Sequence, residues 1–376
     1  MSRTGKFKRT AAAASAICML LAAGACGDNT VNNNDVPEDQ QTSSAAETTP
    51  EESTTTVKTT KAPLVTTTTT TTLPPLPVME DEVPGDAPAL DLEAGMTAPK
   101  TFKEYYDINE DMVGWINIYI PGEVDINEPV VQGEDNKYYL THDFMGKEVK
   151  EGAIFADFKC TFTTRTRPAN TILYGHNMAS GKSFAKLTRY CTWYKAGQGI
   201  SQYLAAPTIK FDTVWAEGTY KVFAAIFVNT EEKNGEVFKY YKQRTIANEG
   251  EFYDYISNIM DRSMFFTDVD LEYGDELLTL STCYYPLGKE NADTRFVVFA
   301  RRVREGESEE VDTSVAKQNP DPLYFDYWYQ THGTKWGGRN WDADPDSTDT
   351  TKTHLKIKGL EEYYKTHDTT SAASEG

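Results

Sequence analysis

The sequence predicts a mostly β domain, a closed barrel or a sandwich, with a few helices inserted between strands. Two patterns point to it. Short apolar or alternating runs recur along the middle of the chain, and only one segment there has a clear helical period. The runs also begin abruptly near Pro99, after a long stretch that cannot build a core.

The elements follow in order. Phe102, Tyr105 and Tyr106 share one helical face before Asn109. Val113 to Ile120 alternates as a strand up to Pro121. Pro129 to Gln132, Gly152 to Ala156 and Asn170 to Tyr174 are further short strands, the last running into Gly175-His176. Ser183 to Tyr190 carries Phe184 and Leu187 at helical spacing. Thr208 to Phe211 and Tyr220 to Val228 read as strands. Phe252, Tyr255, Ile256 and Ile259 follow an i, i+3, i+4, i+7 pattern, an amphipathic helix. Leu277 to Thr282 and Arg295 to Val303 are the last two strong strands. Few helices among many strands favour a closed or double-layered sheet.

What lies outside this core differs in texture. Residues 1–26 form a leader. Arg3, Lys6, Lys8 and Arg9 make a basic start, and the small apolar run from Thr10 to Ala25 is short for a membrane span. It ends Ala-Gly-Ala-Cys26, which admits three readings: a lipidated Cys26, an uncleaved anchor, or signal-peptidase cleavage and free secretion. All three export the rest. Residues 27–98 are Thr, Pro, Asn and acidic residues, with a pure threonine run from Thr66 to Thr72. Such a segment buries too little apolar surface to offset its ordering entropy, and reads as an extended stalk. Residues 99–303 hold the folded core. Residues 304–376 begin polar and acidic, then gather Tyr324, Phe325, Tyr327, Trp328, Tyr329, Trp336 and Trp341 before a chain end expected to fray. That aromatic cluster is expected to pack on the core.

Charge limits the partners. The net charge is −20, and residues 26–100 carry 13 acidic against 3 basic residues. A nucleic-acid partner is not expected. No His, Cys or carboxylate cluster has metal-ligand spacing, and neither a Gly-rich phosphate loop nor a Gly-x-Ser-x-Gly elbow occurs, so no cofactor is expected.

Three strand ends carry chemistry. His176 ends the Asn170–Tyr174 run, Cys283 ends the Leu277–Thr282 run, and Arg295 opens the next strand 12 positions later. A thiolate attacks, an imidazole stabilises it and protonates a leaving amine, and an arginine fork steadies an oxyanion. His142, beside Asp143, is the rival histidine and reads better as a structural hydrogen-bonder. Cys160 and Cys191 either pair or are separately buried thiols.

The motifs resemble those of a known family. Tyr174-Gly-His-Asn-Met, Leu277-Leu-Thr-Leu-Ser-Thr-Cys and Arg295-Phe-Val-Val-Phe-Ala-Arg resemble the histidine, nucleophile and arginine strands of the sortases of Gram-positive bacteria. Asp111-Met-Val-Gly-Trp-Ile, Glu128-Pro-Val-Val-Gln, Asn136-Lys-Tyr-Tyr-Leu-Thr-His-Asp-Phe, Gly152-Ala-Ile-Phe-Ala-Asp and the helix over residues 249–262 are similar to class B members. The resemblance implies an eight-stranded barrel and a cysteine transpeptidase that cleaves the Thr–X bond of an Asn-Pro-x-Thr-like sorting signal. Cys283 would be nucleophile, His176 the acid and Arg295 the oxyanion holder, with Thr282 and Asn177 lining the substrate site. The acceptor would be a peptidoglycan-precursor amine, and the enzyme would be held outside the membrane by lipidated Cys26 or an N-terminal span. The leader, the stalk and the long C-terminal extension depart from the class B pattern. Two alternatives stand beside it: a cysteine peptidase of the same fold with water as acceptor, and a non-catalytic surface lipoprotein.

Overall fold

The computed structural model describes residues 100–162, 168–194, 198–214 and 216–367. The leader with Cys26 and the stalk lie outside the described residues. The chain enters through α1 (Lys100–Tyr106) and the antiparallel pair β1 (Met112–Ile118) and β2 (Ile126–Val131). Then come β3 (Ile154–Ala156), β4 (Asn170–Tyr174), the short helix α2 (Ser201–Ala205), β5 (Thr208–Thr213) and β6 (Thr219–Asn229). The long α3 (Glu249–Arg262) and the two-residue β7 (Phe265–Phe266) precede β8 (Leu277–Cys283) and β9 (Thr294–Arg302). Strands β1-β2-β3-β4-β8-β9-β6-β5 hydrogen-bond in that order and close into a barrel, so the expected eight-stranded β-barrel is the fold.

Two of its pairings are parallel, β2 with β3 and β4 with β8. The β4–β8 pairing reaches across the whole β5–β6–α3 excursion. Both strands are buried along their full length, which accounts for their unbroken apolar runs rather than strict alternation. One apolar cluster contains Ile116, Val130, Ile172, Leu280, Val298 and Phe227. A second sits on the other face of β6 and β9, where Ile226, Val228, Val297 and Phe299 meet Phe252, Ile256 and Ile259 of α3. The α3 start is fixed by Asn248, whose side chain accepts from Glu251 N–H at 2.9 Å while Glu251 reaches back to Ala247 N–H at 3.0 Å.

The stretch expected as a helix over Ser183–Tyr190 is a 3-10 turn, Ala185–Tyr190. Phe184, Leu187 and Tyr190 recur every third residue and are all buried, the period of a 3-10 rather than an α-helix.

Residues after Arg302 pack against the barrel. They form β10 (Lys317–Gln318), α4 (Asp326–His332), β11 (Trp341–Asp342), β12 (Thr353–His354) and α5 (Leu360–His367). Lys317 and Gln318 pair with β7. Trp341, Leu355, Ile357 and Leu360 enter the α3 cluster, so the segment expected to fray is ordered through α5. The aromatic group packs as expected, Trp328 lying 5.3 Å from Trp193 and 5.6 Å from Phe227 between ring centroids. Among the described residues no helix is long and apolar enough to cross a membrane.

Candidate active site

Strand order brings the three reactive residues together. Neighbouring strands β4, β8 and β9 end at one rim. Cys283 and Arg295 are direct cross-strand partners in the antiparallel β8–β9 pair. On the other side of β8, the last registered β4 pair is Tyr174 with Ser281. Continuing that register two residues sets His176 level with Cys283. Gly175 N–H donates to the Ser281 carbonyl at 3.2 Å, so the parallel ladder persists to the histidine.

Side chains then lock the rim. The Thr282 hydroxyl donates to the Gly175 carbonyl at 2.8 Å, and the Asn177 amide donates to the Cys283 carbonyl at 2.9 Å. Both expected substrate residues therefore hold the histidine and cysteine strand ends to each other. Asn177 is exposed, whereas Thr282 is fully buried.

His176 is 4% exposed, and its Nε2 lies 2.9 Å from the Leu140 carbonyl. A carbonyl only accepts, so Nε2 carries the proton and Nδ1 is left as the basic nitrogen. Burial lowers the imidazole pKa; the Leu140 hydrogen bond opposes this and the Arg295 charge adds to it, leaving it below its ordinary value.

Arg295 is 1% exposed. Its Nη1 donates to Asp293 Oδ1 at 2.6 Å and to the Thr294 carbonyl at 2.9 Å, while Nη2 donates to Asp293 Oδ2 at 3.2 Å. Burial alone would lower the guanidinium pKa. The negative charges of Cys283 and Asp293 outweigh it, and the group stays a fixed cation. Burial would likewise raise the Asp293 carboxyl, but the Arg295 fork and the Thr230 hydroxyl, donating at 2.9 Å, hold it below the usual carboxylate range. The sequence reading did not find Asp293. Its signal was an acidic residue two positions before the arginine, on the same side of the strand.

Behind the rim a buried polar lattice fixes the loop that follows β6. Tyr240 Oη is 2.7 Å from Ser281 Oγ. Asn170 donates to the Gln243 carbonyl at 2.9 Å and accepts from Thr279 at 2.8 Å. Arg244 Nε lies 3.5 Å from Asp157, whose other oxygen accepts from Tyr174 and Asn136, each at 3.0 Å.

The other residues weighed in the sequence fall elsewhere. His142 stacks on Tyr138 at 4.1 Å and bonds the Tyr138 carbonyl through Nδ1, the structural role expected of it. Cys160 and Cys191 are separate buried free thiols. Burial pushes both up, Cys191 to about 12, so they stay protonated and inert. Among the described residues no group of His, Cys, Asp and Glu is arranged to hold a metal.

The chain is similar to known proteins. The family model described as "Sortase domain" matches residues 118–303. Sortase B of Listeria monocytogenes is 30% identical over 182 residues, 48% of this chain and 66% of that protein. Sortase B of Staphylococcus aureus is 29% identical over 182 residues, again 48% of this chain, and 67% of that protein. The chain thus spans about two thirds of the length of these relatives. The crystal structure of the Staphylococcus aureus protein aligns with 55% of this chain and 88% of its own, at 28% identity and a TM-score of 0.46. With its barrel topology, its histidine, cysteine and arginine strand ends, and the family-model and sequence matches, the chain belongs to the sortase family, and within it to class B.

Proposed function

We propose that this chain is an extracytoplasmic cysteine transpeptidase that cleaves the Thr–X bond of a C-terminal Asn-Pro-x-Thr-like sorting signal and transfers the protein to a cell-wall amine. The observation that carries this reading is the juxtaposition of His176, Cys283 and Arg295 on the ends of three adjacent strands. The Cys283 thiolate adds to the threonine carbonyl, with the oxyanion in the field of the buried Arg295 cation. As the adduct collapses the C–N bond breaks, and the leaving amine takes from His176 Nδ1 the proton that the imidazole received from the Cys283 thiol. A peptidoglycan-precursor amine then attacks the thioester, gives its proton to His176, and the C–S bond breaks to release the Cys283 thiolate. In this reading lipidated Cys26 or an N-terminal span holds the enzyme outside the membrane. The stalk of residues 27–98 sets the barrel's working distance, and no cofactor takes part.

The test is turnover of a sorting-signal peptide with and without an added amine. The expected result is a threonine–amine adduct that vanishes in Cys283→Ala. Cleavage that ends only in hydrolysis, whatever the amine, would turn the reading toward a peptidase; unchanged turnover in the variant would end it.

A further inference from the structure

Beside the nucleophile stands a hydroxyl that none of these steps uses. Tyr285 lies two residues after Cys283, in the loop joining β8 to β9. Its ring is half-buried, and its Oη is sealed from solvent without a hydrogen-bond partner. A buried hydroxyl left in that state costs about 1–3 kcal/mol, so its retention calls for a reason.

The neighbours supply one. Cys283 and Asp293 both lie beside the phenol and act on it electrostatically. Burial raises the phenol pKa, the Cys283 charge raises it further, and Arg295 opposes. Tyr285 is therefore a neutral O–H donor throughout the physiological range. Arg295, the expected oxyanion holder, has both terminal nitrogens donating to Asp293. Its cation acts on the site as a field, while its fork is engaged with a carboxylate. A donor of a different kind beside the nucleophile, sealed from solvent and without a protein acceptor, is the Tyr285 hydroxyl.

We propose that Tyr285 is a further catalytic residue, whose phenolic O–H donates a hydrogen bond to the oxygen of the carbonyl that Cys283 attacks. This inference rests on the thiol acyl-transfer reading of the site. As the Sγ–C bond forms, the carbonyl π pair moves onto oxygen, and Tyr285 bonds the oxyanion more strongly than it bonds the neutral carbonyl. When the pair returns, the bond to the leaving group breaks and the leaving amine is protonated by His176. Tyr285 keeps its proton throughout. A donor that strengthens only as charge develops lowers the barrier rather than merely tightening binding.

Tyr285→Phe removes the hydroxyl and keeps the ring. Two reactions of Cys283 separate the roles. Acylation by p-nitrophenyl acetate passes through an oxyanion and needs no peptide recognition. Alkylation by iodoacetamide attacks a methylene carbon and builds no oxyanion. The variant is expected to acylate about 100-fold more slowly, the scale of one lost oxyanion donor, while its alkylation rate and pH profile stay within about twofold of wild type. Acylation at the wild-type rate would overturn the proposal. So would an equal loss in both reactions, which would make Tyr285 a support for the thiolate or the loop. An unmodified enzyme that takes acetyl on Cys283 but ignores every sorting-signal peptide would sink the proposed substrate and leave the Tyr285 result standing. One whose Cys283 takes acyl from neither would overturn both.

Discussion

His176 shows how a single residue trades charge against burial. Its ring must be desolvated to stand level with Cys283, and desolvation disfavours the imidazolium. The Leu140 carbonyl returns part of that loss by accepting from Nε2. Because the folded-state pKa lies below the ordinary value of 6.5, the unfolded chain binds a proton that the fold refuses in the window between the two. The stability from the neutral ring is thus present above the unfolded value and lost as pH falls through that window. His176→Gln keeps a donor for Leu140 and cannot titrate. The melting temperature of the unmodified protein should therefore fall more steeply than that of the variant between about pH 7.5 and about pH 5. Parallel curves in thermal melts across that range would show that His176 titrates as it does in the unfolded chain.

At the scale of elements, the parallel β4–β8 pairing does most to build the rim, and Gly175 is its tightest point. A Cβ there would lie 2.7 Å from Ser183 Oγ and 2.8 Å from the Phe184 ring. Both neighbours are fully packed, so Gly175→Ala has to displace the β4 end on which His176 stands. We expect a loss of about 1–3 kcal/mol in urea unfolding. Peptide turnover should fall further than alkylation of Cys283, because the histidine moves while the β8 strand does not. A variant with unaltered stability and turnover would mean that the rim relaxes freely. The strands that make this rim were legible in the sequence because each is a bounded apolar run: Asn170–Tyr174, Leu277–Cys283 and Thr294–Arg302 all coincide closely with expected strands. The helix at Phe252–Ile259 was legible from its period. Register was not, since a run of buried residues such as β8 carries no alternation to say which neighbour faces which. The engagement of Arg295 by Asp293, the turning of Thr282 onto Gly175 and the sealing of Tyr285 Oη are consequences of register, and no local pattern announces them.

Over the whole molecule, the composition change at residue 304 suggests an appendage, yet the contacts made beyond it are those of a core. Arg301 binds Asp270 and Glu307, and Lys221 binds Glu307 at 2.6 Å, fixing the chain where it leaves β9. The Arg301 guanidinium holds the Glu307 carboxyl well below the usual carboxylate range. Further on, Phe325, Trp341, Leu355, Ile357 and Leu360 are each at most 5% exposed. Trp341 Nε1 donates to Asp261 on α3 at 2.9 Å, and Arg339 lies over its ring at 4.5 Å while forking onto the same carboxylate. Burying five large apolar side chains at about 1.5–3 kcal/mol each gives an upper bound on the order of 10 kcal/mol. That is comparable with the whole stability of a typical domain, about 5–15 kcal/mol. A chain ending at Arg304 should therefore lose cooperative unfolding or become insoluble, even though it keeps the whole matched region of residues 118–303. Trp341→Ala provides the graded version. It should cost about 3–5 kcal/mol in denaturant unfolding, and leave Cys283 alkylation at the wild-type rate while the protein stays folded. A truncated chain that melts cooperatively near the temperature of the full one would show that the extension rides on the barrel without supporting it.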